Sequence, residues 1–246
     1  PDATSLVEGR STNAMIRIAS YNMRKAIGTD RRRNPERVLE VLHELDADVI
    51  ALQEADRRFG ARAAVITPHL LDEHSDWKAV DFGVRAGSMG WHCNAFLVRK
   101  SSQVVDCEVI HLPALEPRGA IVTEVRLAKG GVWRCVGMHL DLSGLWRRKQ
   151  AAAILSHVAA SSEQLPTVMM GDLNEWTRAG GCLRDFGRDF VFAETGPSYH
   201  ATRPIGRLDR IMVSSDVKVM DCGVHSSAAA RKASDHLPIW ADVEAA

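Results

Sequence analysis

The chain has 246 residues, of which 46% are apolar and 25% charged. This excludes both a disordered polymer and a fibrous repeat, and fits one large globular domain. Its 31 basic residues balance 31 acidic ones, so no global field attracts nucleic acid or an anionic membrane, and an anionic partner has to be met by a local patch. No apolar run reaches the roughly 18 residues of a membrane span, and the first fourteen residues lack the sectors of a signal peptide. The 5 cysteines are scattered without a C-x-x-C pair, as reduced structural thiols are, and a cytoplasmic home is the expectation. Residues 1–14 are expected to be a disordered N-terminus ahead of a single domain over 15–246.

In chain order, Met15 to Tyr21 alternates Ile16, Ile18 and Ser20 against Arg17 and Ala19, a strand signal that stops at Asn22. Asn34-Pro35-Glu36 supplies an N-cap, a proline at the first helical position and an early carboxylate. Val38, Leu42 and Leu45 follow on one helical face, and the helix ends near Asp46-Ala47-Asp48. Val49 to Leu52 reads as a buried strand that delivers Gln53-Glu54 at its exit. Residues 55–93 predict only a weak helix and irregular loops. Strand-like runs then follow at Ala95–Val98, Val104–Leu112, Ala120–Leu127 and Val132–His139, and four neighbours of this kind predict an antiparallel meander.

Ser143 can cap a helix carrying Ala151, Ile154, Leu155 and Val158 at helical spacing. Thr167–Met170, Leu208–Val213, Val217–Met220 and Leu237–Val243 read as further strands. The fold class expected is α+β: a four-layer sandwich of two mostly antiparallel β-sheets packed face to face, with helices outside.

Four segments put carboxylates, amides and histidines at strand exits: Tyr21-Asn22, Gln53-Glu54, Gly171-Asp172-Leu173-Asn174 and Ser234-Asp235-His236. Loops at strand ends are where a rigid scaffold holds reactive groups. Glu54, Asp172, Asn22 and Asn174 offer only oxygen and amide ligands, which suit a hard divalent cation, Mg²⁺ or Mn²⁺. Each has an ordinary alternative: a lone Glu after an apolar strand is usually a solvated loop residue, and Gly-Asp-x-Asn can be an Asx-turn.

Taken together, Ser20-Tyr21-Asn22, Leu52-Gln53-Glu54, Asn94-Ala95, Glu116-Pro117-Arg118-Gly119-Ala120, His139-Leu140, Gly171-Asp172-Leu173-Asn174, Arg207-Leu208-Asp209-Arg210 and Ser234-Asp235-His236-Leu237-Pro238 resemble the endonuclease/exonuclease/phosphatase superfamily of metal-dependent phosphoesterases. The likeness is strongest to its bacterial metal-dependent hydrolases and runs from Ile16 to Val243. The resemblance implies Glu54 as principal metal ligand, with Asn22 beside it and Asp235 near the metal or its waters. It implies that Asp172 orients or deprotonates the attacking water while Asn174 holds Asp172 or the phosphate. It further implies that His236, oriented by Asp209, lies at the phosphate and that His139 contacts the phosphate or assists the leaving group. Arg118 faces the phosphate in this reading, and Asn94 contacts substrate.

One departure is Arg24, where abasic-site endonucleases usually carry an acidic residue; this argues for a single metal centred on Glu54. The activity implied is metal-assisted hydrolysis of a phosphoester by in-line attack of water. Nucleic acid, a membrane lipid head group and a small phosphoester are all candidate substrates. Arg31-Arg32-Arg33 and Arg147-Arg148-Lys149 could neutralise backbone phosphates, or could be a solvated loop and a helix start. No obligate protein partner is implied. The rival reading is an inactive binding or scaffold protein that keeps the fold. His69, His74 and Trp91-His92-Cys93 lack the second half of a metal site and read as loop and packing residues.

Overall fold

The computed structural model describes residues 14–57, 63–84 and 86–246. The expected disordered N-terminus lies, apart from Ala14, outside the described residues. The strands are β1 (Ile16–Asn22), β2 (Val49–Gln53), β3 (Trp77–Ala79), β4 (Ala95–Arg99), β5 (Gln103–His111), β6 (Gly119–Leu127), β7 (Gly130–His139), β8 (Thr167–Asp172), β9 (Val191–Phe192), β10 (Asp209–Val213), β11 (Val217–Val224) and β12 (Ile239–Ala245). The helices are α1 (Pro35–Leu45), α2 (Pro68–His74), α3 (Gly144–Ala159), α4 (Cys182–Phe186) and α5 (Ala228–Ala233).

Two 6-stranded sheets form, ordered β11-β12-β1-β2-β4-β3 and β5-β6-β7-β8-β10-β9. Most neighbours are antiparallel, but β1 and β2 run parallel, as do β7 and β8. In each parallel pair the connection carries a helix, α1 or α3, because parallel neighbours need a crossover. The sheets stack face to face. Ile16, Ile18, Val49 and Phe96 of the first meet Ile121, Val168, Met170 and Ile211 of the second in a shared core.

The outer face of the first sheet (Ala19, Tyr21, Ile50, Leu52) buries Val38, Leu42 and Leu45 of α1. The outer face of the second (Val122, Val136, Met138, Met169) buries Ala151 and Ile154 of α3 and Phe186 of α4. The result is the expected four-layer sandwich. Alternation explains it: Ile18 points into the shared core while its neighbour Ala19 points to the helix layer, so one strand serves two cores.

Helix α1 follows its local signals. Asn34 Oδ1 accepts from the Arg37 amide at 2.8 Å, Pro35 occupies the first position, and Asp46 ends the helix in the left-handed region at φ 50°. Ser143 stands at the N-cap of α3 but makes no side-chain capping bond; its own amide donates instead to Asp141 Oδ1 at 2.9 Å.

The four-stranded meander is corrected to three. β5, β6 and β7 form one, whereas β4 pairs with β2 and β3 in the other sheet. Sequence proximity favoured β4 beside β5, but Phe96 is fully buried in the space between the sheets, and that burial is satisfied from the opposite sheet. The poorly readable 55–93 region contains α2 and β3.

Gly171, near the end of β8, marks where two strands approach closely. A Cβ there would lie 1.9 Å from the Met138 carbonyl oxygen, and its φ is +155°. The Gly171→Ala variant is therefore expected to lose at least about 2 kcal/mol of stability. Thermal melts should show a fall of roughly 4–8 °C, whereas Gly83→Ala, where a Cβ meets nothing within 4 Å but φ is +64°, should cost less.

Candidate active site

Register assembles one side of the site. In the parallel β7–β8 pair His139 stands opposite Asp172, and in the antiparallel β8–β10 pair Asp172 stands opposite Asp209. Three reactive residues are thus abreast on three neighbouring strands, at the spacing where cross-strand side chains touch. On the facing sheet the parallel β1–β2 pair sets Asn22 opposite Gln53, and the Lys25 amide donates to the Glu54 carbonyl at 3.0 Å, tying the two strand exits together. The Ser234-Asp235-His236 segment arrives ahead of β12. Ser234 Oγ donates to the Asn22 carbonyl at 2.7 Å, and the Leu237 amide donates to the Ser198 carbonyl at 2.8 Å.

Asp172 joins the two sheets. Its Oδ2 accepts from Asn22 Nδ2 at 2.9 Å and its Oδ1 from the Asn174 amide at 2.9 Å. Asn174 therefore holds Asp172 through its backbone, while its side-chain amide donates to the Leu140 carbonyl at 2.9 Å. Extended chain ends at Asp172, and Asn174 turns left-handed at φ 50°. Gly-Asp-x-Asn thus forms an Asx-type turn, and that turn itself positions the carboxylate.

The two histidines are held in opposite protonation states. His236 Nδ1 donates to Asp209 Oδ2 at 2.9 Å, and the Ser198 hydroxyl donates to the same oxygen. Burial alone would depress the imidazolium of His236, but the Asp209 and Asp172 carboxylates outweigh it and raise the pKa to about 9. His139 behaves oppositely. Burial lowers it to about 3 with help from the Arg118 charge, against the opposing pull of Asp172. Arg118 Nη1 donates to the His139 Nε2 lone pair at 2.6 Å, which only a neutral ring can accept. The 3.5 Å approach of His139 Nε2 to Asp172 Oδ2 is accordingly a contact and not an ion pair.

The other expected residues fall around this centre. The Glu54 carboxylate pairs with the Lys25 ammonium, and Asp235 Oδ2 lies 3.2 Å from Arg24 Nε. Asn94 is buried, and its Nδ2 donates to the Gly119 carbonyl at 3.0 Å, beside Arg118. Strain is concentrated here. Arg24, Lys25, Ala26, Glu54 and Asn174 all have φ between 46° and 56°, a region that non-glycine residues enter at a cost of about 1–2 kcal/mol each. Arg147 is not part of a phosphate-facing patch: it is buried in an ion pair with Glu175 at 3.0 Å, and Arg148 pairs with Asp185 at 3.1 Å.

Sequence reasoning missed Ser198 and Tyr199. The Tyr199 ring packs tilted against the His236 ring at 4.8 Å between centroids, and Trp176 packs edge-on against Tyr199 at 5.9 Å. They sit in a stretch without strand or helix periodicity, and only a hydroxyl and an aromatic ring close to Gly206-Arg207-Leu208-Asp209 marked it.

For a metal, the donor chemistry fits a hard divalent cation. Ligand atoms of Asp172, Asp209 and His236 lie within 4.8 Å of one another, all three residues buried, and the His236 ring can join a metal only after losing its proton. Asp209 Oδ1 is buried with no hydrogen-bond partner among the described residues, which leaves one carboxylate oxygen open to a further ligand. Glu54 and the Asn22 side-chain oxygen add further oxygen donors at the adjacent strand exits.

Two stacked sheets thus carry a centre rich in carboxylates and imidazoles at their strand ends. A sequence model of the Endonuclease/Exonuclease/phosphatase family matches residues 19–236, and the chain belongs to that family. Its members are phosphoester hydrolases and typically metal-dependent. Among curated proteins none matches the chain.

Solved structures share the fold at low identity. An endonuclease/exonuclease/phosphatase from Bacteroides vulgatus superposes with a TM-score of 0.74 at 20% identity, covering 95% of this chain and 100% of that one. D. rerio TDP2 complexed with a single-strand DNA product gives 0.72 at 17% identity, covering 94% and 100%. A mannosyl-6-phosphatase from Bacteroides thetaiotaomicron gives 0.69 at 18% identity, covering 93% and 99%.

The histidines generate a pH prediction. His236 binds its proton more tightly folded than unfolded, so its contribution is fully present below pH 6.5 and is lost as pH rises through about 9. His139 resists protonation when folded, so stability is lost as pH falls from 6.5 through about 3. In EDTA, thermal melts of His236→Gln should show a flattened alkaline limb and those of His139→Gln a flattened acid limb.

Proposed function

We propose that the chain hydrolyses a phosphoester with the help of Mg²⁺ or Mn²⁺, by direct in-line attack of water. The observation that carries this reading is the row His139–Asp172–Asp209 joined by His236, in which two buried imidazoles are driven to opposite protonation states. Sites that divide acid from base work separate their pKa values in this way.

Asp172, held by the Asn22 side chain and the Asn174 amide, orients the attacking water and accepts its proton. His236, charged and fixed by Asp209, presents Nε2 at 3.7 Å from Asp172 Oδ2. This places a donor where the phosphoryl oxygens gather charge. Arg118 supplies a second cation beside neutral His139. Glu54 is the principal ligand for the metal, with Asn22 and Asp235 at its side. When bound, the divalent cation supplies Lewis-acid polarisation of a phosphoryl oxygen.

The substrate is a phosphodiester or phosphomonoester on a nucleic acid, a lipid head group or a small molecule. The single-strand DNA product held by D. rerio TDP2 and the sugar phosphate named for the Bacteroides thetaiotaomicron enzyme support both ends of that range. The five cysteines, scattered without a C-x-x-C pair, support a reducing compartment such as the cytoplasm. No helix among the described residues is long and apolar enough to cross a membrane.

Hydrolysis of plasmid DNA, abasic-site duplex, RNA, phosphatidylinositol phosphates, sphingomyelin and bis-p-nitrophenyl phosphate, with and without EDTA, tests the reading. Activity should require metal, and Asp172→Asn or His236→Gln should lower kcat by roughly 10²–10⁴. A chain inert across the panel, with or without the substitutions, would support the scaffold reading instead. Independently of turnover, Glu54→Gln is expected to weaken Mn²⁺ binding at least about tenfold in calorimetric titration while the fold, read by circular dichroism, is retained.

A further inference from the structure

Strand β10 carries two charged residues in succession. Asp209 belongs to the row of the candidate site, and Arg210, on the other face of the strand, lines a cavity of about 520 Å³ together with Arg178, Arg207, Glu194, Thr195 and Leu183. None of the catalytic residues lines this cavity.

Arg210 differs from the other buried arginines. Three arginines are buried among the described residues: Arg134, Arg147 and Arg210. Arg134 is met by Glu124 at 2.7 Å and Arg147 by Glu175 at 3.0 Å, the usual condition for a guanidinium removed from water. Arg210 is only 8% exposed, yet no carboxylate forms an ion pair with it among the described residues. Its one hydrogen bond there runs from Nη1 to the Asp209 carbonyl at 3.0 Å. Burial lowers its pKa, although the Asp209 and Glu194 carboxylates pull it the other way without hydrogen-bonding to the guanidinium.

The rim is basic as well. Arg178 is exposed, and Arg207 pairs at 2.9 Å with Glu194, whose side chain is 80% exposed. That pairing is weak and readily exchanged. Leu183 and Phe192 supply apolar wall between these polar groups.

We propose that this cavity is a second anion site, separate from the catalytic centre, which takes a tetrahedral oxyanion: a phosphate group, free or carried on a larger ligand. Arg210 forms its floor, where a planar fork of N–H donors matches a pair of oxyanion oxygens. Arg178 and Arg207 close over it from the rim. Because Arg210 also grips the Asp209 carbonyl, the occupant is bound to the strand that orients His236. The proposal does not depend on the hydrolytic reading, since it concerns binding alone.

The test is calorimetric titration of the full chain in EDTA with two probes, inorganic phosphate and thymidine 3′,5′-bisphosphate. It is carried out in an Arg118→Ala background that removes an anion donor from the catalytic centre. Phosphate binding should persist in that background, weaken at least tenfold when Arg178→Ser and Arg207→Ser are added, and be lost with Arg210→Met. Crystals soaked in selenate should show an anomalous peak within hydrogen-bond reach of Arg210. If Arg210→Met does not fold, the double substitution at the exposed rim decides. A greater loss for the nucleotide than for phosphate on the double substitution assigns the site to a carried phosphate, and equal losses assign it to the free ion. Affinity that stays within twofold on the double substitution, or a selenate peak confined to the catalytic centre, overturns the proposal.

Discussion

His139, Asp172 and Asp209 stand abreast because the hydrogen-bond register of β7, β8 and β10 admits no alternative. A slip by one residue would turn every inward side chain of a strand outward. On β8 that would drive Val168 and Met170 out of the shared core and put Met169 in their place. Burial of apolar side chains on both faces of the sheet therefore sets the geometry of the candidate site. Gly171 belongs to the same constraint, since only a residue without a Cβ lets β8 lie against the Met138 carbonyl just before Asp172 emerges.

The second consequence is electrostatic. The chain as a whole is neutral, yet the site gathers charge of both signs around a buried row of carboxylates and imidazoles. Glu54, Asp172, Asp209 and Asp235 face Arg24, Lys25, Arg118 and the His236 imidazolium. In so little water each charge is felt strongly by its neighbours, which is how the same residue type becomes a cation at His236 and a neutral acceptor at His139. The left-handed backbone at Arg24–Ala26, Glu54 and Asn174 is the conformational counterpart of that arrangement, tolerated because strand ends on both sides hold the turns in place.

Much of this was legible in the residues. The strand exits at Asn22, Glu54, Asp172 and His139, the capped helix at Asn34-Pro35, and the pairing of His236 with Asp209 all follow from local patterns or from the family resemblance they compose. The errors have physical causes. β4 was assigned to the wrong sheet because strand periodicity reports which face is buried and not which neighbour buries it. Of the two readings open for Arg147, the helix start holds, and its partner Glu175, 28 residues away, lies beyond any local pattern. Ser198 and Tyr199 carry no periodic signal at all.

The sequence by itself determined the alternating burial of the strands, the helix caps and the inventory of oxygen, amide and imidazole groups at strand ends, because these depend on near neighbours along the chain. Only the tertiary structure decided which of those groups meet. Asn22 reaches Asp172 across 150 residues, and Arg118 reaches the His139 ring across 21. The protonation of each histidine, and the lack of a carboxylate beside Arg210 among the described residues, follow from desolvation and charge proximity. Those quantities exist only once distant segments have been packed together.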